Sequence, residues 1–105
     1  MYELLFSPAA EKYLGKLKDK KLKATYREAL ERISADPYIG CLKRGDLTGV
    51  YGYDIRYSGT NYEMSYKIYE EPRRLVVVIL AGTRENFYVE LKSYLKRSKG
   101  IPQGQ

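Results

Sequence analysis

Hydrophobic and polar residues alternate in two neighbouring runs in the middle of the chain, residues 50–57 and 62–69. A period of two is typical of β-strands that bury one face and expose the other. A third run, residues 75–81, is apolar throughout and rich in β-branched side chains, which favours a strand covered on both faces. Turn-forming residues at 58–61 and 70–74 separate the runs, so we predict an antiparallel three-stranded meander.

Helical periodicity flanks the predicted meander on both sides. After a short strand at residues 2–6, Ser7 and Pro8 mark a helix start, because serine caps the first turn and proline suits the first helical position. Apolar residues then recur at helical spacing in two segments, the second of which ends at the proline at position 37. The same spacing returns from about residue 85 and predicts a final helix.

These elements predict an α+β fold, in which an N-terminal strand and a two-helix hairpin pack on a mainly antiparallel four-stranded sheet, followed by a C-terminal helix. The length of 105 residues suits one domain, which we assign to residues 1–99, with residues 100–105 as a flexible tail. The one long connection precedes the meander, and Leu42 and Leu47 are expected to anchor it to the core.

Composition narrows the chemistry that the chain can perform. It has no histidine and a single cysteine, Cys41, which excludes histidine-assisted nucleophiles and Cys/His zinc sites. We therefore expect no metal and no cofactor, and we predict that Cys41 is a small buried apolar residue. No run is long enough to cross a membrane and no cleavable leader is present, so a cytoplasmic protein is expected.

Charge points to a polyanionic partner. Lys and Arg number 19 against 13 for Asp and Glu, which gives a net charge of +6, and a basic balance favours nucleic acid, an acidic protein or an anionic surface. The 12 tyrosines can stack on bases or fill the core, and we assign most of them to the core.

The polar face of the meander collects charged side chains. By strand parity and proximity its members are Asp54, Arg56, Glu63 and Lys67, with Arg84 and Tyr88 from the turn after the third strand and Lys43 and Arg44 from the preceding connection. Two interpretations stand side by side. The face binds and cuts RNA, or it is a solvated sheet with the charge pairs Asp54–Arg56 and Glu63–Lys67.

RNA cleavage without a metal needs groups that neutralise the phosphorane and groups that move protons. Guanidinium groups bind phosphate oxygens bidentately, which suits Arg56 and Arg84. Tyr88 can stack or transfer a proton, and Lys67 supplies a further cation or acid.

Four segments carry a resemblance to the RelE/ParE superfamily of bacterial toxins. They are Phe6-Ser7-Pro8-Ala9-Ala10-Glu11, Leu42-Lys43-Arg44-Gly45, the hairpin around Tyr53-Asp54-Ile55-Arg56-Tyr57 and Tyr62-Glu63-Met64-Ser65-Tyr66, and Ala81-Gly82-Thr83-Arg84-Glu85-Asn86-Phe87-Tyr88. The resemblance implies a toxin neutralised by a cognate antitoxin. It further implies a ribosome-dependent mRNA endoribonuclease, in which Arg56 and Arg84 match cationic residues of the active site and Tyr88 lies close to the C-terminal aromatic residue of the family. From the resemblance and the polar face together, we predict Arg56, Arg84 and Tyr88 as catalytic residues, and Lys43, Arg44, Lys67, Asp54 and Glu63 as substrate-binding residues.

The sequence departs from the RNA-cutting pattern at two positions. Asp54 stands where lysine is frequent in this superfamily, and Glu63 stands where arginine is frequent. These carboxylates repel phosphate or serve as acid and base. Two alternatives therefore stay open, namely a ParE-like toxin acting on DNA gyrase and a non-toxic member of the fold that binds RNA or protein.

Overall fold

A computed structural model describes residues 1–85 and 87–99. The five strands are β1 (Glu3–Phe6), β2 (Cys41–Leu42), β3 (Tyr51–Tyr57), β4 (Thr60–Tyr69) and β5 (Leu75–Thr83). The three helices are α1 (Pro8–Gly15), α2 (Lys20–Ala35) and α3 (Phe87–Lys99). The tail predicted at residues 100–105 lies outside the described residues.

The predicted start of α1 is confirmed by its cap, and α2 begins with a cap of its own. The Ser7 hydroxyl accepts a hydrogen bond of 3.0 Å from the amide of Ala10, and Pro8 is the first residue of α1. At the start of α2, the Asp19 carboxylate accepts from the amides of Lys21 and Leu22. These bonds satisfy amides that have no partner within the first helical turn.

The sheet has the order β1-β5-β4-β3-β2. The predicted meander β3–β4–β5 is antiparallel, whereas β1 pairs in parallel with β5 and places that strand inside the sheet. Five strands form where the sequence predicted four, because two residues of the long connection pair with β3 as the short strand β2.

The larger core lies between the sheet and the helices α1 and α2. Its buried residues include Tyr26 and Ile33 from α2 and Met64, Tyr66 and Val78 from the strands. The tyrosines in and against this core agree with the assignment of most tyrosines to the core. The stripe of apolar residues on α2 covers it because its side chains recur once per helical turn.

The opposite face of the sheet is covered in part by α3. Phe87 and Leu91 of α3 are buried against Ile79, Val50 and Leu47. A break in the pairing of β4 with β5, at Ser65/Tyr66, leaves Ile79 as an extra residue of β5, and such bulges change the direction of a side chain. The face that parity marked as polar therefore has an apolar half beneath α3.

Two expectations for the long connection are wrong. Cys41 and Leu42 are exposed, because β2 is a two-residue strand at the edge of the sheet. Leu47 is buried, as predicted. Within residues 1–85 and 87–99, no helix has the length and apolar content needed to cross a membrane.

Candidate functional site

A fully buried carboxylate, that of Glu63, is the centre of the candidate site. Glu63 lies on β4 opposite Asp54 of β3 and Gly82 of β5, and it has no exposed surface. The sequence placed Glu63 on an open, solvated face, and this expectation is wrong because α3 packs over this part of the sheet. A charge in such a position is retained only when other groups compensate for the lost water.

Two side chains contact the Glu63 carboxylate, one from α3 and one from the connection between β2 and β3. The Tyr88 hydroxyl, from the first turn of α3, donates a hydrogen bond to Glu63 Oε2. Lys43 Nζ lies 3.8 Å from the same oxygen and 4.9 Å from the centroid of the Tyr88 ring. The ammonium group therefore contacts both the carboxylate and the π face of the phenol, a favourable position for a cation.

Space for the lysine is provided by a glycine. A Cβ at Gly52 of β3 would lie 2.6 Å from Glu63 Oε2 and 2.6 Å from Lys43 Cε, closer than atoms can approach. Sequence reasoning missed Gly52, although a glycine inside an alternating strand is a signal for a close approach of other groups.

Arg84 connects the buried carboxylate to the surface. Its Nη1 lies 3.4 Å from Asp54 Oδ2, and its Nε lies 4.0 Å from Glu63 Oε1. The Arg84 amide donates a 2.9 Å hydrogen bond to the carbonyl of Asn61 on β4, which holds the turn against the hairpin. The Arg84 side chain is 53% exposed, so its guanidinium is accessible to a ligand.

The surroundings shift the protonation of the two central groups. Burial raises the pKa of the Glu63 carboxyl, and the neighbouring Asp54 carboxyl raises it further, while Tyr88 and Lys43 act in the opposite direction. Burial also raises the pKa of the Tyr88 hydroxyl, and the contact with Glu63 adds to that shift. The proton on the phenol is therefore held firmly in the resting site.

The raised pKa of Glu63 predicts a pH-dependent stability. Between the ordinary glutamate pKa of 4.5 and the raised folded value, the unfolded chain has released this proton and the folded chain still holds it. The free energy of unfolding therefore decreases as pH rises through that interval. Urea unfolding at a series of pH values should show this loss in the wild type and not in Glu63→Gln. Identical pH dependence in both proteins would contradict it.

The remaining predicted residues lie at different distances from this centre. Arg56 is exposed, shares the strand face of Asp54, and its Nη1 lies 3.3 Å from Asn61 Oδ1. Arg56 and Arg84 are thus on the same side of the sheet. Lys67 is four residues beyond Glu63 on β4, which is about 13 Å along a strand.

The structure therefore brings some of the predicted residues together and leaves others apart. The residues in mutual contact are Lys43, Asp54, Glu63, Arg84 and Tyr88. Arg56 lies beside this group on the same face. Arg44 is exposed next to the 3₁₀ turn Gly45–Leu47, and neither it nor Lys67 has a contact with Glu63 or Arg84. The solvated pairs Asp54–Arg56 and Glu63–Lys67 are not formed, because Arg84 and Lys43 occupy the carboxylates.

Comparison with known proteins identifies relatives with this architecture. The sequence model of one family, described as ParE-like toxin of type II bacterial toxin–antitoxin system, matches residues 4–92. A mutant of E. coli toxin RelE in the free state is 26% identical, with 91% of this chain and 96% of that chain covered and a TM-score of 0.70.

Two solved toxin–antitoxin complexes contain a similar chain. One chain of the RelBE2 complex from Mycobacterium tuberculosis is 30% identical, with 79% of this chain and 98% of that chain covered and a TM-score of 0.62. The intact E. coli RelBE complex contains a chain that is 27% identical, with 78% of this chain and 95% of that chain covered and a TM-score of 0.65. No curated protein matches the sequence.

Proposed function

The chain belongs to the family of ParE-like toxins of type II bacterial toxin–antitoxin systems, and from this premise we propose that it is a metal-independent endoribonuclease cleaving mRNA on the ribosome. The observation that carries the proposal is that Lys43 and Arg84 form ion pairs with the buried Glu63 carboxylate, to which Tyr88 donates a hydrogen bond. In a chain without histidine, lysine and arginine can bind phosphate, and lysine and tyrosine can transfer protons.

Each cation has a separate role in this proposal. Arg84 is half exposed and exchanges its contact with Asp54 for the scissile phosphate, whose developing charge it neutralises. Arg56 offers a second guanidinium on the same face and binds a neighbouring phosphate. Lys43 keeps its ammonium group next to Tyr88 and Glu63, where it faces the reacting bond.

A second candidate function is inhibition of DNA gyrase. The observation that favours it is the pairing of Arg84 with two carboxylates, Asp54 and Glu63. Such pairing reduces the positive potential that a polyanion requires. A toxin that binds a protein target has less need of a free guanidinium.

The proposal includes a cognate antitoxin as the physiological partner. Two of the similar structures are toxin–antitoxin complexes, and the net charge of +6 favours an acidic partner segment. Co-expression of the neighbouring small open reading frame should relieve growth arrest if it encodes this antitoxin.

A short pulse of expression tests the proposed function. We expect growth arrest together with transcripts cut at defined positions, as mapped by primer extension, and no DNA-damage response. Intact transcripts with induced DNA-damage signalling would select the gyrase-directed toxin instead. Normal growth despite folded, soluble protein would show a member of the fold that only binds RNA or protein.

A further inference from the structure

The two carboxylates that depart from the RNA-cutting pattern have different roles, and we propose that Glu63 is the proton acceptor of the cleavage reaction, reached through the Tyr88 hydroxyl. The inference rests on the proposed endoribonuclease function. It assigns Asp54 to holding Arg84 in the resting site and assigns the proton transfer to the buried carboxylate.

Burial decides how Glu63 can act. With no exposed surface, its carboxylate cannot contact the 2′-hydroxyl of an RNA directly. The Tyr88 side chain is only partly buried, and its hydroxyl donates to Glu63 Oε2. A hydroxyl both donates and accepts hydrogen bonds, so Tyr88 can take a proton on one side while it releases its own on the other.

A carboxylate oxygen without a hydrogen-bond donor supports a catalytic role for Glu63. Among residues 1–85 and 87–99, Glu63 Oε1 has no hydrogen-bond donor, although Arg84 Nε lies 4.0 Å away. Leaving a buried acceptor unsatisfied costs about 1–3 kcal/mol. Most buried polar atoms in folded proteins have a hydrogen-bond partner, and a carboxylate that lacks one gains basicity from its incomplete solvation.

The charged groups around Glu63 are arranged for a reversible change of protonation. Lys43, Arg84 and the Tyr88 hydroxyl favour its charged form, while burial and Asp54 favour its neutral form. Burial and Asp54 outweigh the other groups, so the pKa of the Glu63 carboxyl is raised above that of an exposed glutamate, which makes the carboxylate a better proton acceptor.

The proposed step conserves protons. The 2′-oxygen of RNA bonds to the adjacent phosphorus as its proton passes to the Tyr88 oxygen, and the phenolic proton passes to Glu63 Oε2. The bond between phosphorus and the 5′-oxygen breaks, and the leaving oxygen takes a proton from the Lys43 ammonium. Glu63 then returns its proton to Lys43, which lies 3.8 Å away, so the site regains its starting state. The products are a 2′,3′-cyclic phosphate and a 5′-hydroxyl.

The test compares two nearly isosteric variants with matched controls in single-turnover cleavage of ribosome-bound mRNA. Both variants keep the shape of the site. Glu63→Gln removes the proton acceptor, and Tyr88→Phe removes the hydroxyl that relays the proton. Glu31→Gln and Tyr94→Phe make the same changes at an exposed position of α2 and at a position of α3 outside the site. Urea unfolding verifies that all four variants are folded.

We expect Glu63→Gln and Tyr88→Phe each to lower the cleavage rate by about 10²–10⁴-fold, the usual contribution of a general base, and both controls to retain the wild-type rate. The wild-type rate should rise with pH on the acidic side as Glu63 loses its proton, and Glu63→Gln should lose this rise. A folded Glu63→Gln that keeps the wild-type rate, or that keeps the same acidic limb, would overturn the inference while the nuclease assignment stands. Wild-type protein that leaves mRNA intact would overturn both.

Discussion

Replacing Arg84 by alanine is expected to reduce mRNA cleavage by about 10³-fold and to abolish growth arrest, because the variant lacks the charge that neutralises the phosphorane in the proposed reaction. Arg84 is the cation that reaches both the buried carboxylate and the surface. No other described arginine combines these two contacts, so none can substitute for it. Cleavage of ribosome-bound mRNA and colony formation after induction measure the two effects.

The matched control for this variant is Arg73→Ala. Arg73 lies before β5, whereas Arg84 follows that strand. The Arg73 side chain is exposed, and its Nε lies 3.1 Å from Glu3 Oε1. Exposed pairs of this kind contribute at most about 1 kcal/mol, so the control should remain active and folded. A lysine at position 84 should restore part of the activity, since it keeps the charge and loses the bidentate geometry. Full toxicity of Arg84→Ala would remove this residue from the proposed mechanism.

Replacing Phe87 by alanine is expected to lower the free energy of unfolding by about 3–5 kcal/mol, the usual cost of deleting a buried aromatic side chain. Phe87 is 1% exposed and, together with Leu91 of the same helix, packs against Ile79 of the sheet. It also contacts the neighbouring Tyr88 ring edge to face at 5.2 Å between centroids. Loss of Phe87 should therefore loosen α3 and withdraw Tyr88 from Glu63, so cleavage should decrease together with stability.

Val89→Ala is the control on the same helix. Val89 is 70% exposed, so its truncation should change the unfolding free energy by less than about 0.5 kcal/mol. Urea denaturation of both variants gives the comparison. Equal stability of Phe87→Ala and Val89→Ala would show that α3 is not anchored through Phe87.

Local sequence patterns were sufficient for every element of this fold except the short strand β2. The alternation in residues 50–57 and 62–69 corresponds to β3 and β4, and Ser7 and Pro8 begin α1 as predicted. These features depend on neighbours within a few residues, where backbone geometry and periodicity act directly. The short strand β2 was not predicted, because two residues carry no period and pair only when β3 is already in place.

The candidate site could be predicted in part from the sequence. Strand parity correctly grouped Asp54, Arg56 and Glu63 on one face, and the turn after β5 brings Arg84 to the same side. Parity does not indicate what covers a face, so the burial of Glu63 and its contacts with Lys43 and Tyr88 were not foreseen. Lys43 is 20 residues away from Glu63 in the chain and Tyr88 is 25 residues away.

The sequence by itself determined the order of the helices and of the strands other than β2, the faces to which the residues of β3 and β4 point, and the absence of histidine chemistry. Only the tertiary structure decided that α3 closes over one half of the polar face. That packing removes Glu63 from water and leaves Arg84 half exposed. The difference has a physical reason, since side-chain direction follows from local backbone geometry whereas solvation depends on groups distant in the chain.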